Sequence, residues 1–410
     1  CIVENTSSLH SLTVRLTNAD SVSKHLTADV ISQAFQAKTN SEDSPTVVQV
    51  ARAASAGEGL LAAVYRLTVH GAHHTASFVA KAMVKDPLLK KSLLGNEKYF
   101  QREIYFFSTL LPALIEVQRD MGAAESIQNN IPICYGFHCD GSDDFILMED
   151  LAERNLSSHP ETPTKIEKNA NLKALAHFHA VSMAMQYKKP KEFSKLIGQL
   201  TETYYNEDNR VWYSKYMQNA INMFKAALAE VEDPSSDYYQ KFLEFVNKDP
   251  YQQLIAILSQ RGEYLALCHG DAWCSNFLSL DDLAVAFDFQ LVRCSSLVTD
   301  VVYLLTMCNN LNPDKESMLA ALRYYYDCLV YYLKDMGING NQYYDWHQFN
   351  DDLKQYGKFG LLASLTSIPL ISSKRCDNLG SFEEKYKGFS SIPLEELLIL
   401  HNIMRRHSCQ

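Results

Sequence analysis

Apolar positions change their spacing along the chain, and the change divides it in two. Residues 19–38 have helical periodicity, with Leu26, Val30, Ile31 and Phe35 on one side and Asp20 or Ser21 as the expected cap. From Thr46 the spacing becomes that of strands. "TVVQVARAAS", "AAVYRLTVH" and "TASFVAKAMV" predict three strands, with turns at Gly57–Gly59 and Gly71–His74. Residues 96–120 predict one long amphipathic helix whose buried stripe is Phe100, Ile104, Phe107, Leu111 and Leu114. "IPICYGFHC" and "DFILMEDL" predict two more strands, joined by the turn Asp140–Asp144. Helical spacing then dominates near 165–187, 208–230, 236–260, 314–335, 346–370 and 393–406, while "KKPKEFSKL" and "VEDPSSD" read as surface punctuation. Only residues 264–290 interrupt these helices with short strands. The pattern predicts an α+β protein: a small antiparallel-sheet lobe over residues 1–148, a polar connection at 149–153, and a mostly helical lobe over 154–410.

Composition narrows the function. A chain of 410 residues has room for two lobes and a large core, and 47% hydrophobic with 21% charged residues is ordinary for a globular protein. A net charge of −10 argues against a nucleic-acid partner, which needs a basic surface. No run of 18 apolar residues predicts a membrane span. Ten cysteines are scattered without any Cys-x-x-Cys, so no zinc motif is expected, and they read as reduced thiols of a cytoplasmic protein. The sequence opens at Cys1 with no charged-then-apolar leader.

The interruption at 264–290 carries the chemistry. In "LALCHGDAWCSNFLSLDDLAVAFDFQ", Asp271 and Asn276 have the Asp-x4-Asn spacing of a phosphoryl-transfer loop. The Asp would orient and deprotonate a substrate hydroxyl, and the Asn oxygen would help hold Mg2+, an ion that takes oxygen ligands. Asp288 follows the apolar run "LAVAF", so a hairpin turning at Asp281–Asp282 would deliver it as the second metal ligand. Lys81 stands inside an apolar strand, where an ammonium is costly without a partner. It would contact nucleotide phosphates, with Val79 on the same face over the adenine and Glu103 of the next helix as its partner. The turn Gly57-Glu58-Gly59 could lay backbone N–H groups over phosphates, and Val64 would complete the adenine roof. A plain hairpin turn explains those glycines equally well.

Other polar residues read as structural. His269 would shape the loop through backbone hydrogen bonds, Asp300 would brace it from behind, and His179 would pack behind it. His177 and His179, two apart, do not share a helical face and make no metal site. Trp273 would be a packing anchor, and the tyrosines at 324–326 and 331–332 would be helix packing.

"HGDAWCSNFL" with "FDFQ", preceded by "VAK", "YFQREIYFF", "IPICYGF" and "LMEDL", resembles the ecdysteroid kinase-like family, part of the choline-kinase and aminoglycoside-phosphotransferase group with a protein-kinase-like fold. The resemblance runs from about residue 50 to 310. It implies ATP-dependent, Mg2+-assisted phosphorylation of a hydroxylated small molecule, an ecdysteroid or other apolar alcohol first. Asp271 would be the base, Asn276 and Asp288 the metal ligands, Lys81 the phosphate contact and Glu103 its orienter. Backbone groups of Glu149 and Leu151 would hold the adenine. The chain departs from the family at Gly59 and Ala62, where Asn and Ser are expected. Three other readings stay open: a kinase for choline, ethanolamine or foreign alcohols, a non-catalytic nucleotide-binding protein, and a metal-dependent hydrolase.

Overall fold

The structure, a computed structural model, describes residues 19–53, 62–83, 96–157, 163–308 and 315–373. The Gly57–Gly59 turn and the helix expected over 393–406 lie outside the described residues. The chain divides into two compact units, one of residues 1–109 with 131–156 and the other of residues 110–130 with 157–410. A five-stranded antiparallel sheet in the first and a preponderance of helices in the second give the α+β class expected.

In the first unit, strands β1 (Val47–Arg52), β2 (Ala62–His70), β3 (Thr75–Met83), β4 (Cys134–His138) and β5 (Phe145–Glu149) pair in the order β1-β2-β3-β5-β4. Alternation gives the sheet two faces. Leu67, Val69, Phe78, Ala80 and Leu147 pack on one, against Ile31, Ala34 and Phe35 of helix α1 (Ala28–Thr39). α1 starts nine residues later than its periodicity suggested. Residues Ala19–Ser21 form a separate turn, and the Thr27 side chain, not Asp20 or Ser21, accepts the N-terminal Val30 N–H. The β2–β3 turn is fixed from outside by Asp43, whose carboxylate accepts the N–H groups of Ala72, His73 and His74 at 3.0, 2.9 and 3.0 Å. These bonds, that of His73 foremost, hold its carboxyl well below the usual range.

The helix expected over 96–120 is not continuous. α2 (Asn96–Tyr105) and α3 (Leu111–Asp120) are separated by a π-helical turn at Phe106–Leu110. Pro112 in the first turn of α3 has no N–H to donate back, so the preceding turn widens. The five residues of the expected stripe are nonetheless all buried.

The second unit is built around α4 (Lys165–Lys188), which opens with a capping box between Thr164 and Glu167 and is buried almost continuously from Ala170 to Met185. "KKPKEFSKL" is not punctuation. Pro190 serves as the first residue of a helix, α5 (Pro190–Ile197), with Phe193 buried beneath it. α6 (Arg210–Val231) follows. The expected helix at 236–260 is two, α7 (Asp237–Val246) and α8 (Pro250–Ser259), because Asp249 takes φ 49° and caps the second. Beyond the short strands come α9 (Val298–Met307), α10 (Lys315–Asp335), a single turn at Gly340–Tyr343, α11 (Trp346–Tyr356) and α12 (Lys358–Ser373). The last two divide at Gly357 a helix expected over 346–370. Tyr325, Tyr326 and Tyr332 are buried helix packing, whereas Tyr331 is exposed. Among the described residues, no helix is long and apolar enough to cross a membrane.

Candidate active site

In the first unit, β3 presents Ser77, Val79, Lys81 and Met83 on the face opposite the α1 core. Antiparallel register sets Val64 of β2 and Ile146 of β5 beside Lys81, and Met148 of β5 beside Val79. The lysine is buried, and its Nζ lies 2.5 Å from Oε2 of Glu103 on α2, itself fully buried. Val64, Val79 and Met148 therefore form an apolar patch around a fixed ammonium. Val64 and Val79 are the sequence-derived pair, and Met148 is an addition. At the end of β5 the Glu149 N–H donates to the Ile133 carbonyl at 2.8 Å, and Leu151 is buried in a short 3-10 turn. Asp150 between them was not singled out from sequence. Its carboxylate accepts from Arg66 Nε at 2.7 Å and Ser77 Oγ at 2.6 Å, tying the segment to β2 and β3. Burial works against that charge, but the bonds from Ser77 and Arg66 win and keep its carboxyl below the usual range.

In the second unit, β6 (Ala266–Cys268) pairs with β9 (Arg293–Ser295), and β7 (Phe277–Leu280) forms a hairpin with β8 (Leu283–Ala286). The loop from His269 to Asn276 lies between them. Asn276 Nδ2 donates to the Asp271 carbonyl at 2.8 Å and to its Oδ2 at 3.0 Å. With its NH2 turned to Asp271, the amide keeps its oxygen for another partner. The Phe287 N–H donates to the Asn276 carbonyl at 3.0 Å, so the hairpin carries Asp288 to the neighbourhood of Asn276. Asp288 takes the left-handed conformation (φ 68°, ψ 60°), and Gln290 Nε2 donates to its Oδ2 at 3.2 Å. Phe289 anchors this segment between His269 and Phe178, at centroid distances of 4.6 and 5.7 Å.

The loop is held mostly by side chains that grip its main chain. The Asp300 carboxylate accepts the N–H of His269 at 2.5 Å and of Gly270 at 3.0 Å, with His179 Nε2 at 3.2 Å. His269 Nε2 meets the Phe287 carbonyl at 2.9 Å, while its Nδ1 accepts the Asp271 N–H at 3.3 Å, which fixes the Nε2–H tautomer. Burial raises the Asp300 pKa, but His179 and Arg293 overcome it and hold the carboxyl below its ordinary value. Gly270 has φ 86°, and a Cβ there would lie 1.9 Å from the Leu291 carbonyl oxygen, so only glycine fits.

Around this loop two further participants were missed. Arg293 is buried and donates from Nη2 to the Gly270 carbonyl at 3.0 Å. Its signal, a cation within "QLVRCSS", is the one that marked Lys81. The second is a disulfide between Cys274, inside the loop, and Cys308 at the end of α9, which corrects the expectation of reduced cysteines for that pair; Cys134, Cys139, Cys268, Cys294 and Cys328 are free. The two are 34 residues apart, and the fold brings their Cα atoms to 5.6 Å, within the usual range for a bridge. Trp273, expected to anchor the loop by packing, is only half-buried. Gly57 and Gly59 lie outside the described residues.

Oxygen donors at Asn276 and Asp288 suit a hard divalent cation such as Mg2+. A hydrolase would need clustered His, Asp and Glu ligands; among the described residues the two clusters of that kind are His25–His138–Asp140 in the first unit and His179–Cys268–Asp300, whose Asp300 already grips the loop backbone.

Comparison with known proteins finds no match among curated proteins. Similar solved structures include a choline kinase from Cryptosporidium parvum (10% identity over 88% of this chain and 89% of that one, TM-score 0.47). Others are an ethanolamine kinase from Plasmodium vivax (10%, 84% and 81%, 0.42) and an amicoumacin kinase in complex with AMP-PNP and Ca2+ (14%, 84% and 89%, 0.42). The model of the ecdysteroid kinase-like family matches residues 56–338, more than half of the sequence, and the chain belongs to that family.

Proposed function

We propose that the protein is an ATP-dependent phosphotransferase that moves the γ-phosphoryl group of ATP to a hydroxyl of a small, largely apolar alcohol, an ecdysteroid being the first candidate. The observation that carries this reading is the double hydrogen bond from Asn276 to Asp271, with Asp288 delivered beside it by the hairpin. Asp271 accepts the proton of the attacking hydroxyl, and Asn276 fixes the orientation of that carboxylate. The Asn276 oxygen and Asp288 hold Mg2+, which when bound neutralises charge on the transferring phosphates. Lys81, held by Glu103, contacts the phosphates, Val64 and Val79 cover the adenine, and backbone groups of Glu149 and Leu151 hold its edge. Residues 1–148 then serve the nucleotide, 149–153 the connection, and 154–410 the chemistry and the acceptor.

The acceptor class rests on the surroundings of Asp271. Tyr205 and Tyr303 are buried, and burial first, with the Asp271 charge adding to it, pushes both phenols up. Tyr205 and Tyr303 each meet Phe359 edge-on, and the Arg293 guanidinium lies 5.0 Å over the same ring. The guanidinium is itself paired with Glu202 at 3.6 Å, so the surround of Asp271 is chiefly aromatic, which supports an apolar alcohol as the first acceptor. The test is ADP release over a panel of steroid alcohols, amine alcohols and sugars with ATP and MgCl2. Acceptor-dependent release that is greatest with apolar alcohols is expected. Preference for choline overturns the acceptor class, and the absence of any MgATP-induced thermal shift overturns the kinase reading.

A further inference from the structure

We propose a second metal site, for Zn2+, in the first unit, formed by His25, His138 and Asp140. The three come from separate places: the segment before α1, the end of β4, and the turn after it. The Asp140 carboxylate is divided between two tasks. Its Oδ1 accepts the Ser142 N–H at 2.8 Å, the Ser142 hydroxyl at 2.7 Å and the Asp143 N–H at 3.3 Å, which fixes the turn. Its Oδ2 faces two imidazoles, with His25 Nε2 at 3.0 Å and His138 Nε2 at 3.2 Å. All three ligand atoms lie within 4.8 Å of one another.

These distances are close to those around a tetrahedral zinc ion. Zinc binds imidazole nitrogen and carboxylate oxygen at about 2.0–2.2 Å, which puts neighbouring ligand atoms about 3.4 Å apart. Two nitrogens and one oxygen are also a borderline donor set that favours zinc over Mg2+. The His138 Nε2 atom is buried and, among the described residues, meets only the Asp140 carboxylate, at 3.2 Å and outside good hydrogen-bond geometry, a contact that metal coordination would replace. The rings are stacked 3.5 Å apart, and coordination would splay them, since each nitrogen binds a metal within its ring plane. About a third of each side chain is exposed, so the ion can enter and water can complete the shell. Lys24 Nζ is 3.5 Å from Ser142 Oγ, a weak bond that it can leave for solvent. The segment is already tied down by Ser23 Oγ on the Asp143 carbonyl at 2.7 Å and Lys24 N–H on Asp143 Oδ2 at 2.8 Å, so the ligands are held in place.

The site is independent of the kinase reading, and its test needs no activity. Full-length protein stripped with chelator is dialysed against micromolar ZnCl2 in millimolar MgCl2, and bound metal is measured. Wild type and the exposed-thiol control Cys139→Ser should bind zinc with a rise in Tm. The double variant His25→Gln/His138→Gln should lose both the site and the Tm rise, and Asp140→Asn should weaken binding by an order of magnitude or more. Zinc stoichiometry and Tm rise unchanged in the double variant would overturn the proposal, as would a wild type that takes up no zinc. Circular dichroism checks that the double variant is folded, and each single histidine variant, expected to bind more weakly, repeats the test independently.

Discussion

The two units position charged groups by different means. In the first, Lys81 is held by a side-chain partner, the Glu103 carboxylate at 2.5 Å. In the second, the loop that carries Asp271 is fixed at successive residues, by Asp300 on two backbone N–H groups, Arg293 on a carbonyl and His269 on the hairpin. A side-chain pair can be exchanged for another pair of similar volume. A side chain that grips the main chain has no such substitute, because the N–H groups stay when the carboxylate goes. The first unit therefore positions its ammonium through a replaceable side-chain joint, and the second positions its loop through a network that is also part of the fold.

That contrast breaks first at Asp271, whose carboxylate accepts the Asn276 amide while Asp300 and Arg293 hold the backbone of the loop. Asp271→Asn should cut turnover by roughly 10²–10⁴-fold while Tm stays near wild type, measured by ADP release and thermal melts. A comparable loss of Tm would place Asp271 in the scaffold instead. Asp300→Ala should do the opposite and lower unfolding stability by about 3–5 kcal/mol, the cost of breaking a buried charged network, read by urea denaturation. If stability is unchanged, the account of the loop is wrong.

A third test uses a buried group of the second unit that plays no part in the chemistry. His177 is stacked on Tyr332 at 4.0 Å, with Nε2 2.8 Å from Gln118 Nε2 and Nδ1 2.8 Å from Asn130 Oδ1. Only a neutral ring donating from Nδ1 fits that pair. Burial, above all, lowers its pKa from 6.5 to about 4. The unfolded chain then binds the extra proton first as pH falls. The stability contribution is full above pH 6.5 and is lost progressively toward pH 4, by about 3 kcal/mol at the acid end. Tm against pH should be flatter in His177→Gln, and parallel profiles would count against it. The smallest effect sharpens the comparison most. The double variant Lys81→Met/Glu103→Leu should change stability by less than about 1 kcal/mol, since apolar pairs often replace buried ion pairs without loss. Its MgATP affinity should nonetheless collapse in calorimetry. A large stability loss would make the first unit's joint as structural as the second's.

What the sequence discloses depends on range. Asp271, Asn276 and Asp288 lie within 18 residues, and the strands around them were visible, so their grouping could be read. Lys81 was conspicuous because an ammonium in an apolar strand demands a partner, and the next helix offered Glu103. The stripe from Phe100 to Leu114 was legible from spacing, but the π turn within it was not, because apolar period does not record a widened turn. Pro190 was misread because a proline that begins a helix and one that ends a loop look alike without tertiary context. The bond between Cys274 and Cys308 depends on α9 folding back beside the loop, which no local pattern states. The tyrosines were the hardest to sort. Tyr205 and Tyr303 stand near Asp271 and Tyr325 packs elsewhere, and no local pattern in the sequence separates them.

The grip of Asp300 on the His269 and Gly270 amides also has a thermodynamic side. A loop whose backbone is settled during folding has no disorder left to surrender when a nucleotide or an alcohol arrives, so the entropic penalty of association falls on the ligand alone. Calorimetry of binding should then give a heat capacity change that tracks the apolar area covered, without the added component that accompanies the ordering of a segment.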